Sequence, residues 1–147
     1  MPVRISQASR RTVRERAGGL CEYCHTAERW QYVAFTVDHV SPVSAGGTSE
    51  PDNLALACFH CNRRKGNLLT AVDPEFGVEV PLFNPQQQTW GGHFAWSADK
   101  LRFVGLTATG RATVAALDLN RERVLLIRAA DATIQRHPPI DDPIQKA

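Results

Sequence analysis

The sequence has 147 residues, 43% of them hydrophobic and 22% charged, a composition that fits one folded domain and excludes a collagen-like or low-complexity chain. Its net charge of +2 is unevenly distributed: residues 1–70 hold nine basic and six acidic side chains, whereas residues 71–147 hold eight and nine. Since no apolar stretch reaches membrane-spanning length and the first residues lack the apolar segment of a secretory signal, we expect a cytoplasmic protein with no membrane partner.

The N-terminal half predicts a helix, two strands and a second helix. An arginine-rich helix is expected over residues 6–17, because Gly18-Gly19 can supply its left-handed cap. Residues 31–37 are β-branched and aromatic, which predicts a strand that delivers Asp38 and His39 at its end. The remaining predicted elements are a loop over residues 40–52, a short strand over 53–57 and a helix from Cys58 to about Asn67.

The C-terminal half predicts connecting chain followed by a hairpin and two helices. Residues 73–85 are rich in proline and predict a connection, and residues 93–96 and 101–104 flank a turn typical of a hairpin. Helices are expected over residues 109–117 and 120–136, the second with Asn120 as its N-cap and with Pro138-Pro139 as its stop. The last dozen residues are rich in proline and charge and are expected to fray.

Four cysteines form two C-x2-C pairs, Cys21 with Cys24 and Cys58 with Cys61, separated by 33 residues. Each pair places two thiolates on one side of a tight turn, and two such turns complete a tetrahedral four-sulfur shell that suits Zn²⁺. A closed shell has no open position, so the predicted zinc site is structural. The same residues leave three alternatives: an iron–sulfur cluster, a redox-active cysteine at Cys24 or Cys61, which lacks the expected βαβ context, and, through Cys21-x-x-Cys24-His25, a c-type haem. Haem attachment is disfavoured because the chain shows no secretory signal.

A second set of residues is interleaved with these cysteines: Asp38-His39, Gly46-Gly47, Asn53-Leu54 and Asn62-x-x-Lys65-Gly66. In this order and spacing, the block from Cys21 to Gly66 resembles the HNH endonuclease family. The resemblance implies an α+β fold with a ββα-metal (His-Me finger) core, zinc knuckles and a C-terminal hairpin and helices. It also implies a nuclease core over residues 1–72 that includes the arginine-rich helix, an extension of the same domain over residues 73–147 with no assigned function, and a bacterial or phage source.

The resemblance assigns roles to four residues. It makes His39 the general base that activates water, Asp38 and Asn62 the ligands of a catalytic Mg²⁺ or Mn²⁺, and Asn53 the residue that holds the loop so that His39 points at the scissile phosphate. Imidazole can take a proton at neutral pH, and carboxylate and amide oxygens are ligands that suit Mg²⁺, so the chemistry is consistent with these roles. Many family members carry histidine where this chain has Asn62, which puts the metal preference in doubt.

Two points stay open at the level of sequence. Adjacent strand residues face opposite sides, so whether Asp38 and His39 reach one site depends on a bend that the sequence does not reveal. Asn53 can also serve as a turn residue and Asn62 as a helix cap. Five basic side chains are predicted to contact DNA phosphates, with a solvated surface as the alternative: Arg10, Arg14, Arg63, Arg64 and Lys65.

The expected function is hydrolysis of phosphodiester bonds in DNA, expected to be double-stranded, by a metal-dependent endonuclease. The resemblance to the HNH family implies products with 3′-hydroxyl and 5′-phosphate ends. The alternative is a zinc-knuckle DNA-binding module that has lost catalysis. The two alternatives share the zinc site and the basic surface. The residues Asp38, His39 and Asn62 distinguish them, and all three are present.

Overall fold

A computed structural model describes residues 4–140 and residue 142. It consists of helices and three two-stranded antiparallel sheets, which is compatible with the expected α+β class. Contacts divide the chain into two compact units. The first takes in residues up to Leu69 and Asn84–Gln87, and the second takes in Thr70–Phe83 and the residues from Gln88 onward. Half of the segment expected to fray lies outside the described residues. Within the described part, no helix is long and apolar enough to cross a membrane.

The first unit begins with helix α1 (Gln7–Ala17), as the sequence predicts. The Ser6 hydroxyl caps its N-terminus by accepting a bond from the Ser9 amide, and Gly18 ends it in the left-handed conformation at φ 62°. The helix has a single buried side chain, Val13, and its other faces are largely polar. Its packing against the sheet therefore depends on a few contacts that include ion pairs.

Strands β1 (Thr36–His39) and β2 (Leu54–Ala57) form an antiparallel hairpin that is followed by helix α2 (Phe59–Lys65). The register pairs Thr36 with Ala57 and His39 with Leu54, and every residue of β2 is buried. The predicted second strand and second helix are therefore confirmed. Because Asp38 and His39 are the last two residues of β1, the hairpin fixes where both side chains start.

The first strand was predicted over residues 31–37, and this prediction is wrong at its N-terminal end, since β1 begins only at Thr36. Side chains, rather than a neighbouring strand, satisfy the backbone that precedes it. The Phe35 amide donates to Glu28 Oε2 at 2.7 Å, and the Phe35 carbonyl accepts from Arg14 at 2.9 Å. Tyr32 is fully exposed, so its aromatic character reflects no strand packing.

The second unit contains a hairpin that the sequence analysis missed. Strand β3 (Thr70–Val72) lies just before the segment interpreted as connecting chain, and its partner β4 (Glu79–Pro81) lies within that segment. Both are three residues long and mostly exposed, so they carry almost no alternating pattern. A one-turn helix α3 (Trp90–His93) then leads into the predicted hairpin, observed as strands β5 (Phe94–Trp96) and β6 (Phe103–Gly105).

Two helices close the second unit, α4 (Ala108–Ala116) and α5 (Glu122–Thr133), close to the predicted positions. The prediction that Asn120 caps α5 is wrong, because Arg121 occupies the capping position without a side-chain bond. The Asn120 amide instead accepts from the Phe103 amide and donates to the Phe103 carbonyl, both at 2.8 Å. It thus links the hairpin to the turn between the helices.

Candidate functional site

The four cysteines form one buried cluster. Their Sγ atoms all lie within 4.8 Å of one another, and the Cys24 and Cys58 Sγ atoms are 3.7 Å apart. A tetrahedral Zn–S bond of about 2.3 Å requires sulfur–sulfur edges of about 3.8 Å, so the cluster needs only a small contraction to hold an ion. The four cysteines are therefore placed to form a metal site of the closed, four-sulfur kind.

The electrostatics of this cluster also favour a cation. Burial raises the pKa of the Cys21 thiol, whereas hydrogen bonds from Cys21, Cys58 and Cys61 hold the pKa of Cys24 well below its usual value. The thiols thus stabilise one thiolate among them. Further thiolates in a buried pocket need a positive charge to neutralise them, and a divalent cation supplies that charge.

A pocket of about 420 Å³ lies at the end of β1 and beside α2. Three residues that the sequence analysis singled out line it together: Asp38, His39 and Asn62. Gly66, where α2 ends, also lines it. Although Asp38 and His39 are adjacent on a strand, both border this pocket.

Asp38 is held by two neighbours that bind the same carboxylate oxygen. The Tyr23 hydroxyl donates to Asp38 Oδ2 at 2.9 Å, and the Lys65 ammonium lies 3.1 Å from that oxygen. Burial raises the pKa of Asp38, and both of these partners act in the opposite direction. Lys65 Nζ also donates to the His39 carbonyl at 2.9 Å. Both partners contact Oδ2, and Oδ1 takes part in neither of these two contacts.

The imidazole of His39 is oriented by Ser49. Its Nε2 lies 3.0 Å from Ser49 Oγ. In the tautomer with the proton on Nε2, the ring donates to the hydroxyl and Nδ1 carries the lone pair. This arrangement gives His39 a basic nitrogen that is not the one engaged by Ser49.

Asn53 ties together the loop between β1 and β2. Its Oδ1 accepts from the Ser41 amide at 2.9 Å, and its Nδ2 donates to the carbonyls of Ser41 and Thr48 at 3.0 and 2.8 Å. The loop closes tightly here, since a Cβ at Gly47 would lie 1.8 Å from the Ser41 carbonyl oxygen. Only glycine fits at this position, which accounts for the second residue of the Gly46-Gly47 pair.

Asn62 is positioned by the helix that begins at the second cysteine pair. Its amide nitrogen donates to the Cys58 carbonyl at 2.9 Å, and its side-chain Nδ2 donates to Thr36 Oγ1 at 2.8 Å. The second contact fixes the side-chain amide against the start of β1. The Asn62 Oδ1 oxygen is therefore the atom of this side chain that can serve as a ligand.

Part of the first unit matches a known protein family. Residues 21–68, the HNH segment, match the HNH endonuclease family. The matched segment contains both cysteine pairs and all three of Asp38, His39 and Asn62. A search of curated proteins found no match. The HNH match points to nuclease or DNA-binding function, and it spans about a third of the chain, so it says nothing about the second unit.

The basic side chains predicted to contact phosphate are placed differently from one another. Lys65 is only 2% exposed and its ammonium faces Asp38, so it lies inside the HNH segment rather than on its surface. Arg14 is partly exposed, but its guanidinium binds both carboxylate oxygens of Glu28, at 2.6 and 2.8 Å, and the Phe35 carbonyl. Arg10, Arg63 and Arg64 also have exposed side chains.

Three residues of the HNH segment were missed by sequence reasoning. Tyr23 lies between the first two cysteines, and the sequence does not reveal that it is buried. A buried tyrosine hydroxyl needs a hydrogen-bond partner, and this need becomes visible only in the fold. Ser49 lies in a loop rich in turn residues and gives no signal. Glu22 is 4% exposed and accepts from the Leu56 amide at 2.7 Å and from Gln86 at 3.1 Å. Through these bonds Glu22 links the turn between Cys21 and Cys24 to β2 and to the segment Asn84–Gln87.

Proposed function

We propose that this protein is a divalent-metal-dependent DNA endonuclease with a ββα-metal core formed by β1, β2 and α2. The observation that carries the proposal is that Asp38, His39 and Asn62 line one pocket inside the segment that matches the HNH endonuclease family. A general base and two hard oxygen ligands meet there, which is the set that phosphodiester hydrolysis requires.

His39 is the general base in this proposal. With Nε2 bonded to Ser49, Nδ1 is the nitrogen that takes a proton from water as the water attacks phosphorus. Asn53 holds the loop at Ser41 and Thr48, and we propose that it thereby keeps His39 directed toward the scissile phosphate. The products are then a 3′-hydroxyl and a 5′-phosphate, because water attacks phosphorus and the 3′ oxygen leaves.

Asp38 Oδ1 and Asn62 Oδ1 are the atoms that would hold Mg²⁺ or Mn²⁺. The donor set fits these ions, since both atoms are oxygens and both side chains are oriented by other contacts. Such an ion, when bound, neutralises charge on the phosphate and assists the leaving oxygen. Lys65 and Tyr23 position Asp38 in this scheme, and we assign Lys65 this role in place of a phosphate contact.

The cysteine cluster is proposed to hold a structural zinc ion. Its four sulfurs leave no open coordination position, so it takes no direct part in hydrolysis. DNA is proposed to run across the exposed arginines of α1 and α2. The three exposed arginines proposed for this contact are Arg10, Arg63 and Arg64. Arg14, whose guanidinium binds Glu28, is proposed to brace α1 against the chain before β1.

The test is cleavage of supercoiled plasmid with and without Mg²⁺ or Mn²⁺, comparing wild type with His39→Ala. Wild type should nick or linearise the plasmid only with the divalent ion, and His39→Ala should lose cleavage while keeping its zinc content and melting temperature. His93→Ala, a histidine of the second unit, serves as the matched control and should still cut. Wild-type cleavage by His39→Ala would refute the assignment of the base. DNA binding without any cleavage by wild type would favour the alternative, an inactive DNA-binding module.

A further inference from the structure

The face of α2 that borders the pocket continues onto an exposed aromatic ring. Asn62 and Gly66 line the pocket, and Phe59 lies three and seven residues before them, on the same helix face. The Phe59 side chain is 59% exposed although it follows directly on the buried Cys58. A rise of about 1.5 Å per residue places it about 4.5 Å along the helix axis from Asn62.

A cation accompanies this ring. The Arg63 guanidinium carbon lies 5.8 Å from the centre of the Phe59 ring, within the range of a cation–π contact. Arg63 is itself exposed and follows Asn62 in sequence. An exposed phenylalanine alone is unremarkable in a folded protein. This one combines an aromatic face, a neighbouring positive charge and a position on the helix that supplies Asn62 to the proposed catalytic pocket.

We propose that Phe59 and Arg63 form a stacking platform for an unstacked base next to the phosphate that is cleaved. Arg63 attracts the backbone, and the Phe59 ring covers one face of the base. In an intact duplex both faces of a base are covered by its neighbours, so the platform acts only on a strand in which one neighbour is absent. The substrate class that the platform favours over intact duplex is therefore single-stranded DNA, or a duplex with a gap or a frayed end. This inference rests on the proposed function, because it places the cleaved phosphate in the pocket.

The experiment compares one labelled strand in two forms, single-stranded and fully paired, by cleavage rate at limiting substrate. Wild type should favour the single strand. Replacing Phe59 by leucine keeps the bulk of an apolar side chain and removes the aromatic face. Stacking of a base on an aromatic ring is worth about 1–3 kcal/mol, which at 1.4 kcal/mol per factor of ten predicts a loss of about 5-fold to 140-fold on the single strand.

Two further variants make the comparison specific. Phe59→Trp keeps an aromatic face and should retain the wild-type preference. Phe76 in the second unit is also an exposed phenylalanine, 69% exposed, with the Arg111 guanidinium 5.5 Å from its ring centre. Because Phe76 lies outside the HNH segment, Phe76→Leu should leave the cleavage rates of both substrates unchanged. An equal loss on both substrates in Phe59→Leu, or no loss at all, would overturn the proposal.

Direct binding separates this inference from the proposed function. Fluorescence anisotropy of the same single strand, with Ca²⁺ in place of the catalytic ion, measures affinity without turnover. If wild type cuts no DNA, the nuclease proposal fails, and the binding measurement still decides on the platform. Weaker single-strand binding by Phe59→Leu, with duplex binding and zinc content unchanged, would support it, and equal affinities of the variant and wild type would refute it.

Discussion

Tyr23→Phe tests whether the first cysteine pair positions Asp38. The substitution removes one hydroxyl and leaves the ring, which is 2% exposed, in place. Burial and the nearby Asp38 carboxylate raise the pKa of Tyr23 well above its usual value, so the hydroxyl is a donor throughout the neutral range. In the variant, Asp38 Oδ2 keeps Lys65 but loses its 2.9 Å bond.

The size of the effect follows from the burial of the acceptor. Asp38 is 7% exposed, so water cannot readily replace the lost donor. A hydrogen bond to a charged group contributes about 1.5–3 kcal/mol, and the free energy of unfolding should fall by about that amount. If Asp38 is a ligand, loss of a residue that orients it should reduce metal affinity or cleavage about 10–100-fold.

The assay is urea unfolding together with the Mg²⁺ dependence of plasmid cleavage. The chain offers a matched control, since its only other tyrosine, Tyr32, is fully exposed. Tyr32→Phe should change the free energy of unfolding by less than about 0.5 kcal/mol and leave cleavage unchanged. If Tyr23→Phe behaves like Tyr32→Phe in both measurements, the hydroxyl neither stabilises the unit nor orients Asp38, and the reasoning is wrong.

Two further predictions concern an ion pair and the cysteine cluster. The hydrogen bonds from Arg111 lower the pKa of Asp73 below its unfolded value of about 3.9, so the pair stabilises the second unit above about pH 4 and loses this effect as pH falls. Asp73→Asn should therefore lower the melting temperature at pH 7. The difference in melting temperature between this variant and wild type should shrink below about pH 4. A constant difference across that range would contradict this account. Cys58→Ser should bind less than one zinc per chain, melt at a lower temperature and lose cleavage that excess Mg²⁺ does not restore, because structural zinc contributes roughly 10–16 kcal/mol against a typical domain stability of about 5–15 kcal/mol. A variant that loses zinc and cuts DNA normally would show that cleavage does not depend on the cysteine cluster.

The predictions that succeeded from sequence rest on local signals. The helix over residues 6–17 has a serine at its start and glycines at its end, and its observed caps are those residues. The second strand is a compact apolar run, and all of it is buried. The cysteine cluster followed from spacing alone, because each C-x2-C turn brings its two sulfurs together and the fold has only to join the two turns.

The predictions that failed depend on partners distant in sequence. The chain before β1 reads as a strand, yet Arg14 and Glu28 satisfy the backbone of Phe35, and no pattern within residues 31–37 encodes that. Asn120 reads as a helix cap, but the two backbone groups of Phe103 bind its amide. Likewise, Lys65 reads as part of a basic helix end, and only the folded chain places its ammonium beside Asp38. In each case a long-range contact outweighs the local preference.

Hydrogen bonds connect each of the two cysteine pairs to one of the two proposed ligands. In the first pair, Tyr23 lies between Cys21 and Cys24 and donates to Asp38. In the second pair, Cys58 caps α2, since its Sγ accepts from the Cys61 amide at 3.4 Å and its carbonyl accepts from the Asn62 amide. Each proposed ligand is therefore held by a hydrogen bond to the turn of a different cysteine pair. The separation of Asp38 from Asn62 then depends on how closely the two cysteine pairs are held together. Binding of one ion by all four sulfurs would fix that separation, whereas Mg²⁺ at the pocket would act only after it is fixed. This order of dependence is the physical reason that added Mg²⁺ should not rescue a chain without zinc.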